Sequence, residues 1–112
     1  MRNLLYIFIC FAVVSCAVLM KTDRVERVID GDTIVLTTGE RIRFARIDTP
    51  ELDTRKGKRV AKWLRNRIEG KKVKIVRKGK GYYGRTIGEV YYQGVNLNDQ
   101  LLETGRAVKY KK

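Results

Sequence analysis

Apolar and polar residues alternate in short segments along much of the chain, which is the spacing of half-buried strands. Turn residues separate the first segments at Asp30-Gly31 and Thr38-Gly39-Glu40, and Thr49-Pro50 ends the third because proline lacks an amide donor. Three strands are predicted before residue 50: Arg24–Ile29, Thr33–Thr37 and Arg41–Asp48.

Over Lys58–Glu69 the apolar positions recur at helical spacing, and basic residues occupy most of the remaining positions. Gly70 ends this predicted helix. A second, shorter helix is predicted at Leu97–Thr104, with Asn96 as its N-cap and Gly105 just after its end.

Alternation returns at Lys71–Arg77 and at Arg85–Tyr92, and a glycine-containing loop, Gly79–Gly84, joins these two segments. The predicted strands then number five, with one helix after the third strand and another near the end of the chain. That order is typical of an α+β fold built on a five-stranded barrel of the oligonucleotide-binding type. A length of 112 residues allows one such domain, which we assign to residues 21–112.

Residues 1–20 have the composition of a targeting segment. Leu4–Val14 is an uncharged apolar run behind a short basic start, as in a signal peptide. Ser15-Cys16-Ala17 suits cleavage by an ordinary signal peptidase, whereas Val13–Cys16 resembles a lipoprotein signal in which Cys16 is lipidated. Retained, Leu4–Met20 is just long enough for a membrane anchor. We expect an exported protein, either secreted or attached to the cell envelope through Cys16 or the N-terminal segment.

Both cysteines, Cys10 and Cys16, lie in that segment. The domain that follows therefore contains no intramolecular disulfide, even in an oxidising compartment. Its stability must come from packing.

The charge is strongly positive and unevenly distributed. The formal net charge is +13, which favours polyanionic partners and nucleic acid above all. Residues 55–85 contain 14 Lys or Arg and a single acidic residue, Glu69, whereas residues 16–54 contain eight acidic residues and six basic ones. A polyanion-binding surface is therefore predicted beside a group of carboxylates.

The chain has no histidine, which excludes Ser-His-Asp and Cys-His catalysis, histidine-ligated zinc and imidazole as a general base. A carboxylate is the expected base. Asp32 follows the first turn, and Asp48 and Glu51 flank the end of the third strand. Such carboxylates are the ligands of hard cations such as Ca²⁺ or Mg²⁺, although each of them taken singly is also an ordinary turn or strand-end residue.

Arg43 and Arg85 lie on strands on either side of these carboxylates. A guanidinium offers parallel N–H donors that match phosphate oxygens, so two of them can hold one phosphate. The alternative is that both simply face solvent, as many arginines do in a basic protein.

Three motifs in this order resemble the staphylococcal nuclease-like (thermonuclease) family. They are Val28-Ile29-Asp30-Gly31-Asp32-Thr33, the stretch from Arg43 through Ile47-Asp48-Thr49-Pro50-Glu51, and Tyr83-Gly84-Arg85. The resemblance covers about Val25 to Ala107. It implies a Ca²⁺-dependent phosphodiesterase on an oligonucleotide-binding barrel, which cuts DNA and RNA without strict sequence choice and leaves 3′-phosphate ends. A monomer is expected.

The resemblance also implies roles for individual residues. Asp32 and Asp48 ligate calcium through their carboxylates, and Thr49 does so through its backbone carbonyl. Glu51 orients or deprotonates the attacking water, while Arg43 and Arg85 stabilise the charge that develops on the phosphate.

Further residues are expected to bind the substrate. Tyr83 resembles a family tyrosine that contacts phosphate, Tyr82 or Tyr110 offers a stacking face to a base, and Lys78 and Lys80 bind backbone phosphates. Half-buried packing in the barrel is the alternative role for the tyrosines. The family usually continues into a further C-terminal helix, which this chain is expected to lack.

A non-catalytic nucleic-acid-binding barrel is the alternative to the enzyme. The presence of all five residues with implied catalytic or carboxylate-ligand roles favours the enzyme: Asp32, Arg43, Asp48, Glu51 and Arg85. A cationic envelope protein that adheres to anionic polymers is the third and least specific hypothesis.

Overall fold

The computed structural model describes residues 21–111. The predictions for the N-terminal segment, including lipidation of Cys16, concern residues outside that range. The strands are β1 (Asp23–Asp30), β2 (Thr33–Leu36), β3 (Arg41–Phe44), β4 (Ile47–Asp48), β5 (Lys72–Lys80), β6 (Thr86–Tyr92), β7 (Val95–Asn96) and β8 (Val108–Lys109). The helices are α1 (Arg55–Ile68) and α2 (Leu97–Glu103).

Five strands close into a barrel in the order β3-β2-β1-β5-β6. The closure is a parallel pairing of β3 with β6, in which Ile42 lies opposite Thr86. The strand β7 extends the sheet beyond β6, and β4 pairs separately with β8. The predicted α+β fold, a five-stranded oligonucleotide-binding-type barrel with two helices, is confirmed.

The barrel closure is reinforced by an ion pair at the turn before β3. Glu40 accepts hydrogen bonds from Arg77 Nη2 at 2.6 Å and from Thr86 Oγ1 at 2.8 Å, so it joins this turn to β5 and β6. The Arg77 guanidinium is the main cause that lowers the pKa of Glu40 to about 2. The carboxylate therefore stays ionised well below neutral pH.

The core fills the barrel interior and the space beneath α1. One stripe of α1 is buried, and Val60, Leu64 and Ile68 from that stripe pack with barrel residues such as Phe44. Burial of each of these large side chains stabilises the fold by roughly 1.5–3 kcal/mol. The opposite face of α1 remains exposed and basic.

Three predicted boundaries were wrong. The predicted strand Arg41–Asp48 is interrupted at Ala45 and Arg46, where Arg46 has a left-handed φ of 71°. The helix α1 begins at Arg55, earlier than predicted, because the Thr54 side chain caps it by accepting the Gly57 N–H at 2.9 Å. The strand β5 continues through Gly79 and Lys80, which the sequence pattern had placed in a loop.

Within residues 21–111, neither helix has the length and apolar character needed to cross a bilayer.

Candidate active site

The residues between β3 and α1 form one side of the site, and we call Ala45–Glu51 the corner segment. A fully buried side chain from α2, Asn98, holds its first residue. The Asn98 Nδ2 donates to the carbonyls of Ala45 and Gly88 at 3.0 and 3.1 Å, and its Oδ1 accepts the Val90 N–H at 3.0 Å. One amide therefore connects α2, β6 and the corner segment.

Arg46 fixes the turn within the corner segment. Its Nε donates to Glu89 Oε2 at 3.0 Å, and its Nη2 donates to Asp99 Oδ1 at 2.7 Å. These hydrogen bonds hold the residue in its left-handed conformation. The Arg46 guanidinium is also the main cause that lowers the pKa of buried Glu89.

Arg43 on β3 lies between the two predicted metal-ligating carboxylates. Its Nη2 donates to Asp48 Oδ1 at 2.6 Å, and its Nη1 lies 3.3 Å from Asp32 Oδ2. Nη1 also donates to the Phe44 carbonyl at 2.9 Å. The guanidinium is therefore held in one orientation, with only 15% of its side chain exposed.

The turn between β1 and β2 places Asp32 against the corner segment. Asp32 Oδ2 accepts the Thr49 N–H at 3.0 Å, and Asp30 Oδ1 accepts the Asp32 N–H at 3.0 Å. Burial is the main cause that raises the pKa of Asp30 to about 6, and the neighbouring Asp32 carboxylate adds to it. The carboxyl groups of Asp30 and Asp32 therefore lie close together in a turn that is partly shielded from water.

Asp32, Asp48 and Thr49 supply oxygen donors alone, which is the donor type that calcium prefers. Asp32 and Asp48 approach the same guanidinium, and the Asp32–Thr49 hydrogen bond joins Thr49 to them. Among residues 21–111 there is no group of three acidic, histidine or cysteine side chains that could hold a metal. The donor atoms suit a hard cation in their chemical type, and the Arg43 guanidinium lies between the two carboxylates.

Glu51 is exposed at the end of the corner segment, and the packing of its backbone positions it. A Cβ built on Gly57 would overlap the Glu51 carbonyl oxygen, so only glycine allows α1 to approach this closely. The Thr54 N–H donates to the same carbonyl at 3.0 Å. On the other side, a Cβ on Gly31 would lie 2.8 Å from the Thr49 hydroxyl.

The second side of the site is a recess of about 740 Å³, which we call the barrel recess. Arg43 and Arg85 both line it, although they lie on different parts of the chain. Lys80, Tyr82 and Tyr110 line it as well, and the Arg43 guanidinium carbon lies 6.0 Å from the centre of the Tyr110 ring. With Arg46 and Phe44 included, the barrel recess combines four cations with three aromatic rings, which suits a nucleotide phosphate and its base.

Arg85 belongs to an exposed stretch, Gly81–Arg85, which we call the tyrosine segment. It contains one 3₁₀ turn, in which Tyr83 has a left-handed φ of 61° and is 92% exposed. The Arg85 Nε donates to the Tyr82 carbonyl at 3.3 Å. Within the described residues, this is the one side-chain hydrogen bond of Arg85, so its guanidinium is held far less firmly than that of Arg43.

The structure brings most of the predicted residues into two neighbouring groups. Asp32 and Asp48 both approach Arg43, and Thr49 is hydrogen-bonded to Asp32. Arg43 also lines the barrel recess together with Arg85. Tyr83 and Lys78 are exposed and do not line the barrel recess.

Sequence reasoning missed the residues that support the site: Gly57, Glu89 and Asn98. Their roles depend on contacts with distant parts of the chain, such as Asn98 with Ala45, 53 positions away. The N-cap pattern around Asn96 placed Asn98 in a helix but carried no signal that its side chain is buried.

Part of the chain matches a described protein family, and several known proteins are similar to it. Residues 41–112, which include the barrel closure and both arginines, match the profile of the family described as staphylococcal nuclease homologue. The chain belongs to this family. Nuclease homologues of this kind include an uncharacterized endonuclease of Haemophilus influenzae, which is 38% identical over 99% of this chain and 64% of its own length.

Two further nuclease homologues show similar identity. An uncharacterized endonuclease of Escherichia coli O157:H7 is 35% identical over 79% of this chain and 60% of its own length. A micrococcal nuclease of Shigella flexneri is 35% identical over 78% of this chain and 57% of its own length. The chain therefore spans about three fifths of the length of these relatives.

Proposed function

We propose that this protein is a calcium-dependent endonuclease that hydrolyses phosphodiester bonds of DNA and RNA with little sequence preference. One observation carries the proposal: Arg43 and Arg85, from separate parts of the chain, face one recess, and Arg43 is flanked by Asp32 and Asp48. The names of the relatives agree with this activity. The absence of histidine leaves a carboxylate as the base.

The two arginines bind the scissile phosphate in this mechanism. Arg43 is already oriented by its carboxylate and carbonyl partners, and Arg85 approaches from the tyrosine segment. Their N–H groups offset the negative charge that grows on the phosphate oxygens in the transition state. Loss of such a donor typically slows catalysis by about 100-fold to 1,000-fold.

Glu51 acts as the general base or orients the attacking water. Its exposed carboxylate lies at the end of the corner segment, and the contact of the Glu51 carbonyl with α1 limits where this side chain can lie. The oxygen of the water attacks phosphorus, the water proton passes to Glu51, and the bond from phosphorus to the leaving oxygen breaks. The leaving oxygen takes a proton from solvent and becomes the 5′-hydroxyl of one fragment, while the other fragment keeps a 3′-phosphate.

Calcium would be held by the carboxylates of Asp32 and Asp48 and by the Thr49 carbonyl. When bound, the cation polarises the phosphate and helps to position the attacking water. Binding also gives a readout that is independent of cleavage, because a ligand of the folded state raises the thermal midpoint. Ca²⁺ is expected to raise the midpoint of the wild-type chain and not that of Asp48→Asn.

The remaining recess residues bind the rest of the nucleotide. Tyr82 and Tyr110 offer faces on which a base stacks, and Lys80 neutralises a backbone phosphate. Lys78 and Tyr83, which lie outside the barrel recess, are assigned to flanking phosphates. These contacts read no base edge, so they predict weak sequence preference.

The decisive experiment measures cleavage of single-stranded DNA and of RNA by the full chain with Ca²⁺, with Mg²⁺ and with chelator. Glu51→Gln is compared with Asp53→Asn, a matched loss of one exposed carboxylate two residues further on. We expect Ca²⁺-dependent cleavage that Glu51→Gln reduces at least 100-fold and Asp53→Asn leaves within about twofold. Equal losses in both variants would remove Glu51 from the mechanism.

The second candidate is a nucleic-acid-binding barrel without catalysis. The ion pairs of Arg43 with Asp32 and Asp48 favour it, because they also make sense as a purely structural cluster. In that case the wild-type chain binds DNA but yields no products with either metal.

Export and a monomeric state belong to the same proposal. Cell fractionation of the full chain and of Cys16→Ser tests envelope attachment. If Cys16 is lipidated, the variant is lost from the membrane fraction and no longer incorporates labelled fatty acid. Sedimentation of the purified chain tests the monomer.

A further inference from the structure

The exposed face of α1 carries several cations in positions that weaken the helix. Half of its 14 residues are Lys or Arg, and its first turn contains no acidic residue. The partial positive charge at a helix N-terminus disfavours cations there, and like charges three or four residues apart repel. Arg65 and Arg67 lie in the last turn, where cations are favourable, so helix stability leaves only the cations nearer the N-terminus unexplained.

Three of the α1 cations line a second recess, which we call the helix recess. It lies between α1 and the residues that follow α2, and its volume is about 500 Å³. Lys56, Arg59, Lys62 and Arg106 line it, together with the Trp63 ring, and no acidic residue within 21–111 does. The helix recess is therefore a concave surface of a single charge sign.

Arg106 is ordered by the aromatic ring beside it. Its guanidinium carbon lies 4.3 Å from the centre of the Trp63 ring, and the guanidinium of Arg67 lies 5.5 Å from the same ring. A guanidinium that stacks through its flat face keeps its N–H edges available for hydrogen bonds. The contact prepares Arg106 to bind an anion without neutralising its charge.

The cations of the helix recess differ from the arginines that stabilise the fold. Arg46 and Arg77 each form ion pairs with two carboxylates. Within residues 21–111, none of the four helix-recess cations forms an ion pair with a carboxylate. Their charge is thus available to a partner from outside the chain.

We propose that the helix recess is a second nucleic-acid-binding site, which holds the sugar-phosphate backbone of a polynucleotide outside the site of cleavage. This inference rests on the proposed function for the identity of the polyanion. Position supports it, because the first turn of α1 touches the Glu51 backbone and Lys56 lies beside that contact. A strand that leaves Glu51 along α1 meets the helix recess within about two helical turns, or about 11 Å.

The test compares two triple variants with the same net charge in the full chain. The recess triple is Lys56→Gln, Arg59→Gln and Lys62→Gln, and the control triple is Lys21→Gln, Arg27→Gln and Arg41→Gln, which lie outside the basic stretch 55–85. All six residues are exposed, so neither triple removes a buried contact. Binding is measured by fluorescence anisotropy in chelator, with single-stranded oligonucleotides of about 4 and about 16 nucleotides, the range of site sizes on barrels of this type.

We expect the recess triple to weaken binding of the long oligonucleotide about tenfold or more at about 0.1 M salt. Its slope of log affinity against log salt should fall by about two, since each lost phosphate contact accounts for about 0.7 on a single strand. The control triple should stay within about threefold of wild type, and the short oligonucleotide should bind both triples alike. Arg106→Gln alone should weaken the long oligonucleotide in the same direction.

Three outcomes would overturn the inference. Equal losses in both triples would show that net charge alone matters, and equal losses for both oligonucleotide lengths would place these cations in the cleavage site. A recess triple that loses binding to vesicles of anionic phospholipid, and not to the oligonucleotide, would assign the surface to membranes.

Cleavage measured in parallel separates this inference from the proposed function. If the chain cleaves and the two triples bind the long oligonucleotide equally well, the helix recess is refuted and the nuclease is supported. If the recess triple shows the expected length-dependent loss of binding but the wild-type chain cleaves nothing, the nuclease is refuted and the helix recess remains as part of a binding protein.

Discussion

The two sides of the candidate site are built in opposite ways. The corner segment is tied to α2, β6 and α1 by a buried amide, an ion-paired arginine and a glycine contact. The tyrosine segment projects from the barrel, with Tyr83 almost fully exposed and Arg85 held by one hydrogen bond to a carbonyl. The corner segment is ordered by the fold itself, whereas the side chains of the tyrosine segment have few restraints.

The free energy needed to order the arginine side chain is therefore spent at different stages on the two sides. Arg43 is oriented during folding, so the free energy of its placement is part of protein stability. In the proposed mechanism Arg85 has to be ordered when the phosphate binds, and ordering a long side chain at an interface costs about 0.5–1.5 kcal/mol. Variants of the corner segment should therefore change stability and activity together, and variants of the tyrosine segment should change activity alone.

The largest effect is expected from removal of the buried amide. Asn98→Ala leaves buried backbone groups such as the Val90 N–H without a partner, which should destabilise the fold by about 3 kcal/mol and reduce cleavage. Chemical denaturation measures the loss. Asn66→Ala, an exposed asparagine on α1, is the control and should change stability by less than about 0.5 kcal/mol. Similar losses in both would mean that the corner segment does not depend on Asn98.

The ion pair at the corner segment predicts a pH dependence. The folded-state pKa of Glu89 is below its ordinary value, chiefly because of Arg46, so its contribution is present above that ordinary value and is lost as pH falls through the folded pKa. Glu89→Gln should therefore cost about 2 kcal/mol near neutral pH, and the difference from wild type should shrink on acidification. Denaturation over a pH series measures it.

Glu103→Gln is the control for that series, since Glu103 is exposed on the last turn of α2. It should parallel the wild-type chain at every pH. A difference between Glu89→Gln and wild type that stays constant on acidification would show that the side chain acts by packing alone.

The contact of Gly57 with the Glu51 carbonyl predicts that alanine at position 57 changes stability in the direction opposite to the usual one. Alanine in place of glycine within a helix normally stabilises it by up to about 1 kcal/mol. Gly57→Ala should instead destabilise the fold by about 1–2 kcal/mol, because the new Cβ has to displace the Glu51 carbonyl. The turnover rate should fall as well, with little change in KM.

Gly79→Ala on β5 is the matched control, since its Cβ would meet no atom within 4 Å. It should be neutral or slightly stabilising. In a double-mutant cycle, Gly57→Ala should have little further effect on cleavage when Glu51 is already Gln. An equally large further loss in that background would mean that Gly57 does not act through Glu51.

The smallest effect on stability is expected in the tyrosine segment. Arg85→Lys should change the free energy of unfolding by less than about 0.5 kcal/mol, because its hydrogen bond is exposed. Cleavage should nevertheless fall about 100-fold or more, since lysine lacks the fork that matches two phosphate oxygens. Thermal unfolding and initial rates on the same preparation measure both quantities. A stability loss comparable to that of Asn98→Ala would end the contrast between the two sides.

Much of the fold was predictable because it is local in the chain. Alternation over β1 and β2, the helical spacing in α1 and the cap at Asn96 each follow from residues within a few positions of one another. The break between β3 and β4 was not predictable in this way. It depends on Arg46, whose partners Glu89 and Asp99 lie 43 and 53 positions away.

The candidate site also has a part that is predictable from local sequence and a part that depends on distant contacts. The carboxylates and arginines could be named from their motifs, and their strand positions put Arg43 beside the carboxylates. The contacts of Asp32 and Asp48 with one guanidinium depend on the folded structure. The support from Gly57 and Asn98 was equally hidden, since a glycine or an asparagine in a helix has many ordinary explanations.

The sequence by itself determined the chemistry that is available to this protein: a chain without histidine, with clustered acids in one part and a long basic stretch in another. The tertiary structure decided which charges meet. Barrel closure brings acids to Arg43, Arg46 and Arg77, while the cations of the helix recess have no acidic partner among the described residues. The reason is physical: Coulomb interaction and hydrogen bonding depend on distances in space, and only the closed barrel sets those distances for residues far apart in the chain.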